Sequence, residues 1–360
     1  MKFVARFKEL KKNTRTAFGT YAFVIILYAV MQLLSSTGNL TSLIKGQLVP
    51  ICAYIVMALS LNLTVGILGE LSLGHAGFMS VGAFSGIVTS ELLKTAIPNA
   101  GLRLTFAIIV GAVFAAVFGF LIGIPVLRLH GDYLAIVTLA FGEIIKSVVN
   151  NLYFGVDANG IRISFINDRL DLAEGGKVII GGPMGTSGVS RISTFTAGFI
   201  LVMICLIFLY NLLDSKTGRT IMAMRDNAIA AESVGINITR SKLAAFVMSA
   251  AMAGMAGALF GLNYSSLMPS KFDFNTSILV LVFVVLGGLG NLWGSVIAAA
   301  ALTLLPELLR SFSDYRMLLY SVILILIMLA THSWLKGSIS QVIKNAVKKY
   351  KARKQEASHE

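Results

Sequence analysis

Ionisable side chains are scarce in this sequence, so those that interrupt its apolar runs stand out. Glu70 and His75 fall in 61–82, LNLTVGILGELSLGHAGFMSVG, between two uncharged stretches. An ionisable group at membrane depth is costly and is by default a candidate for a translocation pathway. Gly66 and Gly69 interrupt the helical pattern there, and backbone broken inside a bilayer must be buried in protein or line a wet cavity. Asn62, Gly66, Gly69, Ser72, Gly74, His75 and Gly77 are therefore candidate pathway or broken-helix residues. The bland alternative makes His75 a neutral, hydrogen-bonded packing residue and leaves Glu70 at the interface. Glu143 and Lys146 are three apart, hence on one helix face; they can pair near a helix end or line a pathway. The four histidines show no metal-ligand spacing, and Cys52 and Cys205 sit in uncharged runs as free packing residues. No G-x-x-x-x-G-K-[ST] is present, so the chain has no P-loop for ATP. Nucleophile signatures are missing too, so no catalytic residue, metal or bound cofactor is expected of this chain.

Such residues reach membrane depth only if the elements around them cross a bilayer, and the composition says that they do. Of 360 residues, 56% are hydrophobic and 13% charged, about half the roughly 25% charge of soluble domains. Mean hydropathy is +0.81. A soluble enzyme, a disordered chain and a disulfide scaffold are excluded. The net charge of +13 is concentrated at the ends, with six Lys/Arg in 1–17 and seven in 336–360. Basic segments flanking apolar spans fit the positive-inside rule better than nucleic-acid binding.

A bilayer-crossing helix needs about 20 apolar residues. Runs free of Asp, Glu, Lys and Arg cover 17–34, 46–69, 71–90, 104–127, 192–213, 243–270, 274–306 and 317–335, and 133–152 is apolar apart from Glu143 and Lys146. As one helix, 274–306 would be about 50 Å long, against a core of about 30 Å. Its middle, 287–294, reads GGLGNLWG, which no straight helix prefers. Both basic ends are expected on the cytoplasmic side, so the run must count as two segments. The expectation is an all-α polytopic membrane protein with about ten transmembrane or membrane-embedded segments, N-in and C-in. Gly287, Gly288 and Gly290 mark its second broken or re-entrant stretch. The layout is a basic cytoplasmic segment 1–17, a membrane domain 18–335 and a basic cytoplasmic tail 336–360. An external loop, 153–191, has a turn-rich part at 181–185 and room for some strand. A cytoplasmic loop spans 214–240. The G-x-x-x-G pairs Gly82/Gly86, Gly119/Gly123 and Gly257/Gly261 suit close helix packing within one subunit, or a dimer face.

Within the cytoplasmic loop, 218–237 is polar, Ala-rich and helix-prone. Asp226 or Asn227 can N-cap a short helix that Gly235 ends. A two-turn helix is marginal alone in water, so its apolar side, such as Ile229, is expected to dock in a partner's groove.

Four segments, 61–84, 131–144, 218–246 and 286–294 with 304–307, resemble the permease subunits of branched-chain amino acid ABC importers, the LivM-type branch. The resemblance covers roughly 20–335. It implies a transport subunit, not an enzyme, in a bacterial or archaeal cell membrane. It also implies a homologous second permease subunit, two cytoplasmic ABC ATPase subunits that bind ATP and Mg, and an extracytoplasmic solute-binding protein. Contact with membrane lipid is expected and nucleic acid is not. Ala231-Glu232-Ser233 followed by Gly235 is similar to the glutamate-alanine-glycine signature of importer coupling loops, with Ala231 in its first place. Arg225, Asp226, Ala231, Glu232 and Gly235 are thus the implied ATPase-coupling residues. Leucine, isoleucine and valine are the implied cargo. Urea or amides carried by the same machine, and a gradient-driven secondary transporter, are the alternatives.

Overall fold

The computed structural model describes residues 12–37, 41–127, 129, 131–157, 160–165, 176–310 and 315–331. Most of the basic segment 1–17, the middle of the loop 153–191 and the whole tail 336–360 lie outside them. The chain divides into two units at residue 304.

The first unit opens with helices α1 (Lys12–Ser36) and α2 (Ser42–Leu61), the latter running on as a π-helical turn, Asn62–Leu68. Helices α3 (His75–Leu92), α4 (Ala100–Val126) and α5 (Asp132–Asn150) follow. Strands β1 (Tyr153–Asp157), β2 (Gly160–Ser164) and β3 (Lys177–Gly181) form an antiparallel sheet of order β2-β1-β3. Next come α6 (Phe195–Asp214), α7 (Lys216–Asp226), α8 (Ala228–Ser233), α9 (Ile238–Gly261), α10 (Phe274–Gly287) and α11 (Leu292–Leu308). In the second unit the described residues are the end of α11, where Arg310 Nη1 lies 3.1 Å from Glu307 Oε1, and α12 (Arg316–Thr331).

Seven helices among the described residues are long and apolar enough to cross a membrane. Helix α3 is not one of them, because it is rich in Gly and Ser and carries His75 and Glu91. Helices α11 and α12 are apolar but shorter over their apolar lengths. The chain is largely helical rather than all-α, since the loop 153–191 contains the three-stranded sheet. That loop is tied down at several points. Thr186 N–H donates to the Leu267 carbonyl at 2.9 Å, and Ser190 N–H to Glu91 Oε1 at 3.1 Å. Lys177 Nζ reaches Glu91 Oε2 at 2.8 Å.

Helix α4 shows how the core is built. Its small residues Ala107, Gly111, Ala115 and Gly119 are buried, while Leu102, Phe106, Ile109, Val113, Val117 and Leu121 are exposed. A soluble helix would bury the large residues. With lipid outside, burying them gains little, and small residues let backbones approach. The G-x-x-x-G pairs work this way inside the chain. Gly257 packs on the Met79 and Ala83 backbone, Gly82 on Gly254, and Gly254 on Gly111 and Ala115. Gly86 meets Ala258, Gly119 meets Ala250 and Gly261 meets Ala83.

Candidate functional site

The first break lies between α2 and α3. The π-helical turn ends at Gly69, which is left-handed at φ 83°, and an irregular segment, 70–74, leads to His75. Gly66 within the turn has no room for a Cβ, which would overlap the Asn62 amide and the Gly290 nitrogen. The second break separates α10 from α11, with Gly288 at φ 93° and Gly290 at φ 78°. Such angles suit glycine because an L side chain clashes there. Gly287 packs directly on the backbone of Gly294, closing the turn.

The two breaks meet. Gly290 N–H donates to Asn62 Oδ1 at 2.8 Å, and Asn62 Nδ2 donates to Ser295 Oγ at 2.8 Å. Asn62 is fully buried, so its amide needs these partners. The end of α7 reaches the same place. Arg225 Nη1 donates to the Gly66 carbonyl at 3.0 Å, while its Nε and Nη2 donate to Asp226 Oδ1 at 3.2 and 3.1 Å. A Cβ on Gly69 would lie 2.7 Å from Arg225 Cγ. Glu70 is ion-paired with Lys242 on α9, and both side chains are mostly buried.

Ser72, Gly74, His75 and Gly77 belong to a different, close-packed cluster. Ser249 donates its hydroxyl proton to the Ser60 carbonyl at 2.7 Å, so its oxygen accepts from His75 Nε2 at 2.8 Å. That leaves His75 Nδ1 to accept from the Ser72 hydroxyl at 3.1 Å. Both ring nitrogens are then satisfied by an imidazole carrying its proton on Nε2. Thr138 Oγ1 accepts from Leu73 N–H at 3.0 Å and Ser277 Oγ from Ala76 N–H at 3.2 Å. A Cβ on Gly74 would press on the Thr138 carbonyl carbon at 3.0 Å, and one on Gly77 on Gly142 Cα at 2.9 Å. The bland reading of His75 describes this geometry. Glu143 and Lys146 pair at 2.5 Å, with the carboxylate partly exposed.

The loop 214–240 folds as two helices where the sequence reading expected one. Asp226 ends α7, and Asn227 caps α8 by accepting from Ala230 N–H at 3.0 Å. Gly235 follows at φ 85° with open space around it. Ala231 is buried, Glu232 is exposed, and Ile229 and Val234 are 83% and 75% exposed. Thus Asn62, Gly66, Gly69, Gly287, Gly288, Gly290, Arg225 and Asp226 come together. Ala231, Glu232 and Gly235 lie one short helix away. Sequence reasoning missed Ser60, Ser249, Ser295 and Lys242. The three serines are lone hydroxyls in apolar helices and Lys242 closes the polar run 239–242 at the start of α9, and nothing local in the pattern singles any of them out. Among the described residues, no three His, Cys, Asp or Glu are grouped to hold a metal ion.

At the C-terminal end of α3, the buried Glu91 carboxylate takes hydrogen bonds from Lys177 Nζ at 2.8 Å and Ser190 N–H at 3.1 Å, with Lys94 Nζ 3.8 Å away.

Fold and site define a multi-pass helical membrane protein whose two helix breaks are joined to each other and to a pair of short polar helices. The chain belongs to the branched-chain amino acid transport system / permease component family, whose model matches residues 43–331. It is 36% identical over 290 residues to the high-affinity branched-chain amino acid transport system permease protein LivM of Salmonella typhimurium, and equally to that of Escherichia coli. Each match covers 77% of this chain and 66% of the relative, so the chain spans just under two thirds of their length. The permease protein LivH of Salmonella typhimurium is 24% identical over 303 residues, 79% of this chain and 91% of its own. No solved structure matches.

Proposed function

We propose that this chain is the transmembrane permease subunit of an ATP-binding-cassette importer that moves branched-chain amino acids inward across a bacterial or archaeal cell membrane. The observation that carries the reading is the family match over 43–331, supported by the capped helix α8 with its exposed Ile229 and Val234. The relatives named for branched-chain amino acid transport support the cargo. Ten membrane segments, N-in and C-in, follow if α3, α11 and α12 join the seven longer helices. In that topology α7 and α8 face the cytoplasm and the sheet faces outside.

The chain works as a transport subunit rather than an enzyme. Two ATPase subunits bind ATP and Mg beneath it, a homologous permease lies beside it, and an extracytoplasmic solute-binding protein delivers cargo. Helix α8 is the docking element, with Arg225, Asp226, Ala231, Glu232 and Gly235 at or near the contact. ATP binding displaces whatever is docked, and the helix breaks at 62–74 and 287–291 are where the spans change access.

Two experiments test this. Uptake of labelled leucine by cells with and without the gene is expected to be gene-dependent; gene-dependent urea uptake in its place would move the substrate and keep the machine. A cysteine at Ser358 is expected to resist an impermeant thiol reagent in intact cells, and labelling there would overturn the topology.

A further inference from the structure

Arg225 stands where α7 meets the first helix break, close to the second. Its guanidinium contacts the Gly66 carbonyl on one side and Asp226 on the other. Nη1 also lies 3.9 Å from where a Cβ on Gly290 would be. Gly66 is near the end of its helical turn, where carbonyls run out of intrahelical partners. One rigid five-donor fork can hold that carbonyl and a carboxylate together, which a lysine cannot.

The remaining contacts form a chain through one side chain. Asn62 holds Gly290 N–H and Ser295 Oγ at once, and Gly66 is pressed between Asn62 and Gly290. Movement of the Gly66 backbone therefore disturbs both breaks. Asp226 ends α7 and Asn227 caps α8, so a displacement of α8 is applied two residues from Arg225.

We infer that Arg225 is a positioning residue that holds the first helix break in place and, through Asn62, its link to the second, and that pulling it off the Gly66 carbonyl is the step by which movement of α8 opens the cytoplasmic end of the pathway. The inference rests on the proposed cytoplasmic placement of α7 and α8. Its test uses no transported solute, so it can fail separately from the substrate reading.

The reporter is Ala299→Cys in a background with Cys52→Ala and Cys205→Ala. Ala299 is fully buried one turn beyond Ser295 on α11. Alkylation by an impermeant thiol reagent is timed in inside-out vesicles holding the full chain with its co-expressed partner subunits, with and without ATP. With Arg225 intact, the cysteine is expected to react slowly and to speed up on adding ATP. Arg225→Gln is expected to raise the ATP-free rate at least tenfold and to abolish the ATP effect. Arg225→Lys is expected to restore part of both. Asp226 is 70% exposed, so Asp226→Asn keeps the fold and is expected to raise the ATP-free rate severalfold; it decides the matter if Arg225→Gln does not reach the membrane. A wild-type ATP-free rate in Arg225→Gln, or a retained ATP effect, overturns the lock. An arginine that merely stabilised the fold would leave the ATP dependence in place. If ATP has no effect with Arg225 intact, the importer reading falls and the ATP-free rates still judge the lock.

Discussion

Gly257→Ala adds one methyl group where α9 crosses α3. The new Cβ would lie 2.8 Å from the Met79 carbonyl carbon and 2.9 Å from the Ala83 nitrogen, and would overlap the Met79 carbonyl oxygen. Ordinary contact begins at 3.4 Å, so the two backbones must part by at least about half an ångström. Backbone cannot swing aside as a flexible side chain does, and the same face of α9 also packs Gly254 against α4. Overpacking of this kind costs about 1–3 kcal/mol, and the upper half of that range is expected here. Gly46→Ala is the control. Gly46 lies in α2 with nothing within 4 Å of its Cβ position, so the helix propensity of alanine should stabilise it by up to about 1 kcal/mol. The assay is thermal unfolding of the purified chain in one detergent, followed by helical circular dichroism. Equal stability of the two variants would refute the reasoning that these glycines set helix spacing inside the subunit.

His75→Leu removes the acceptor of the Ser72 hydroxyl and the donor to Ser249, which keeps its Ser60 partner, and should cost about 1–3 kcal/mol; adding Ser72→Ala should cost little more, and simple additivity in detergent melts would contradict one shared network. Ile229→Asp alters a side chain 83% exposed, so stability should change by under about 0.5 kcal/mol while uptake collapses at an unchanged membrane level. Asn227→Ala removes the cap on α8 and should loosen that helix by about 1 kcal/mol, read as reduced uptake rescued by Asn227→Ser.

The membrane class, the apolar segments and both breaks were legible because each rests on a local signal: run length, glycine clusters and the capping residues of α8. Gly69, Gly288 and Gly290 were visible as glycines, and their left-handed backbone shows why no other residue serves. The joining of the breaks was not legible. Asn62 and Gly290 are far apart in sequence, and a single buried amide in an apolar run carries no periodic signature. The same holds for Ser60, Ser249 and Ser295, whose roles come from what faces them. Glu70, between α2 and α3, pairs with Lys242 on α9, which no spacing rule could foresee. The strands at 153–181 were weakly signalled because the loop is short of regular alternation. His75 is open between two readings in the sequence, and only its serine partners, distant or unsignalled in the pattern, show the hydrogen bonds that the packing reading expects.

In the proposed function, ATP bound by partner subunits drives the cargo through this chain. The most direct measurement is uptake of labelled leucine by cells expressing the gene, with the membrane gradient collapsed and ATP retained, and then with ATP depleted and the gradient retained. Uptake that survives the first treatment and stops in the second is the result expected. Uptake that dies with the gradient while ATP remains would contradict the account and make the chain a secondary transporter.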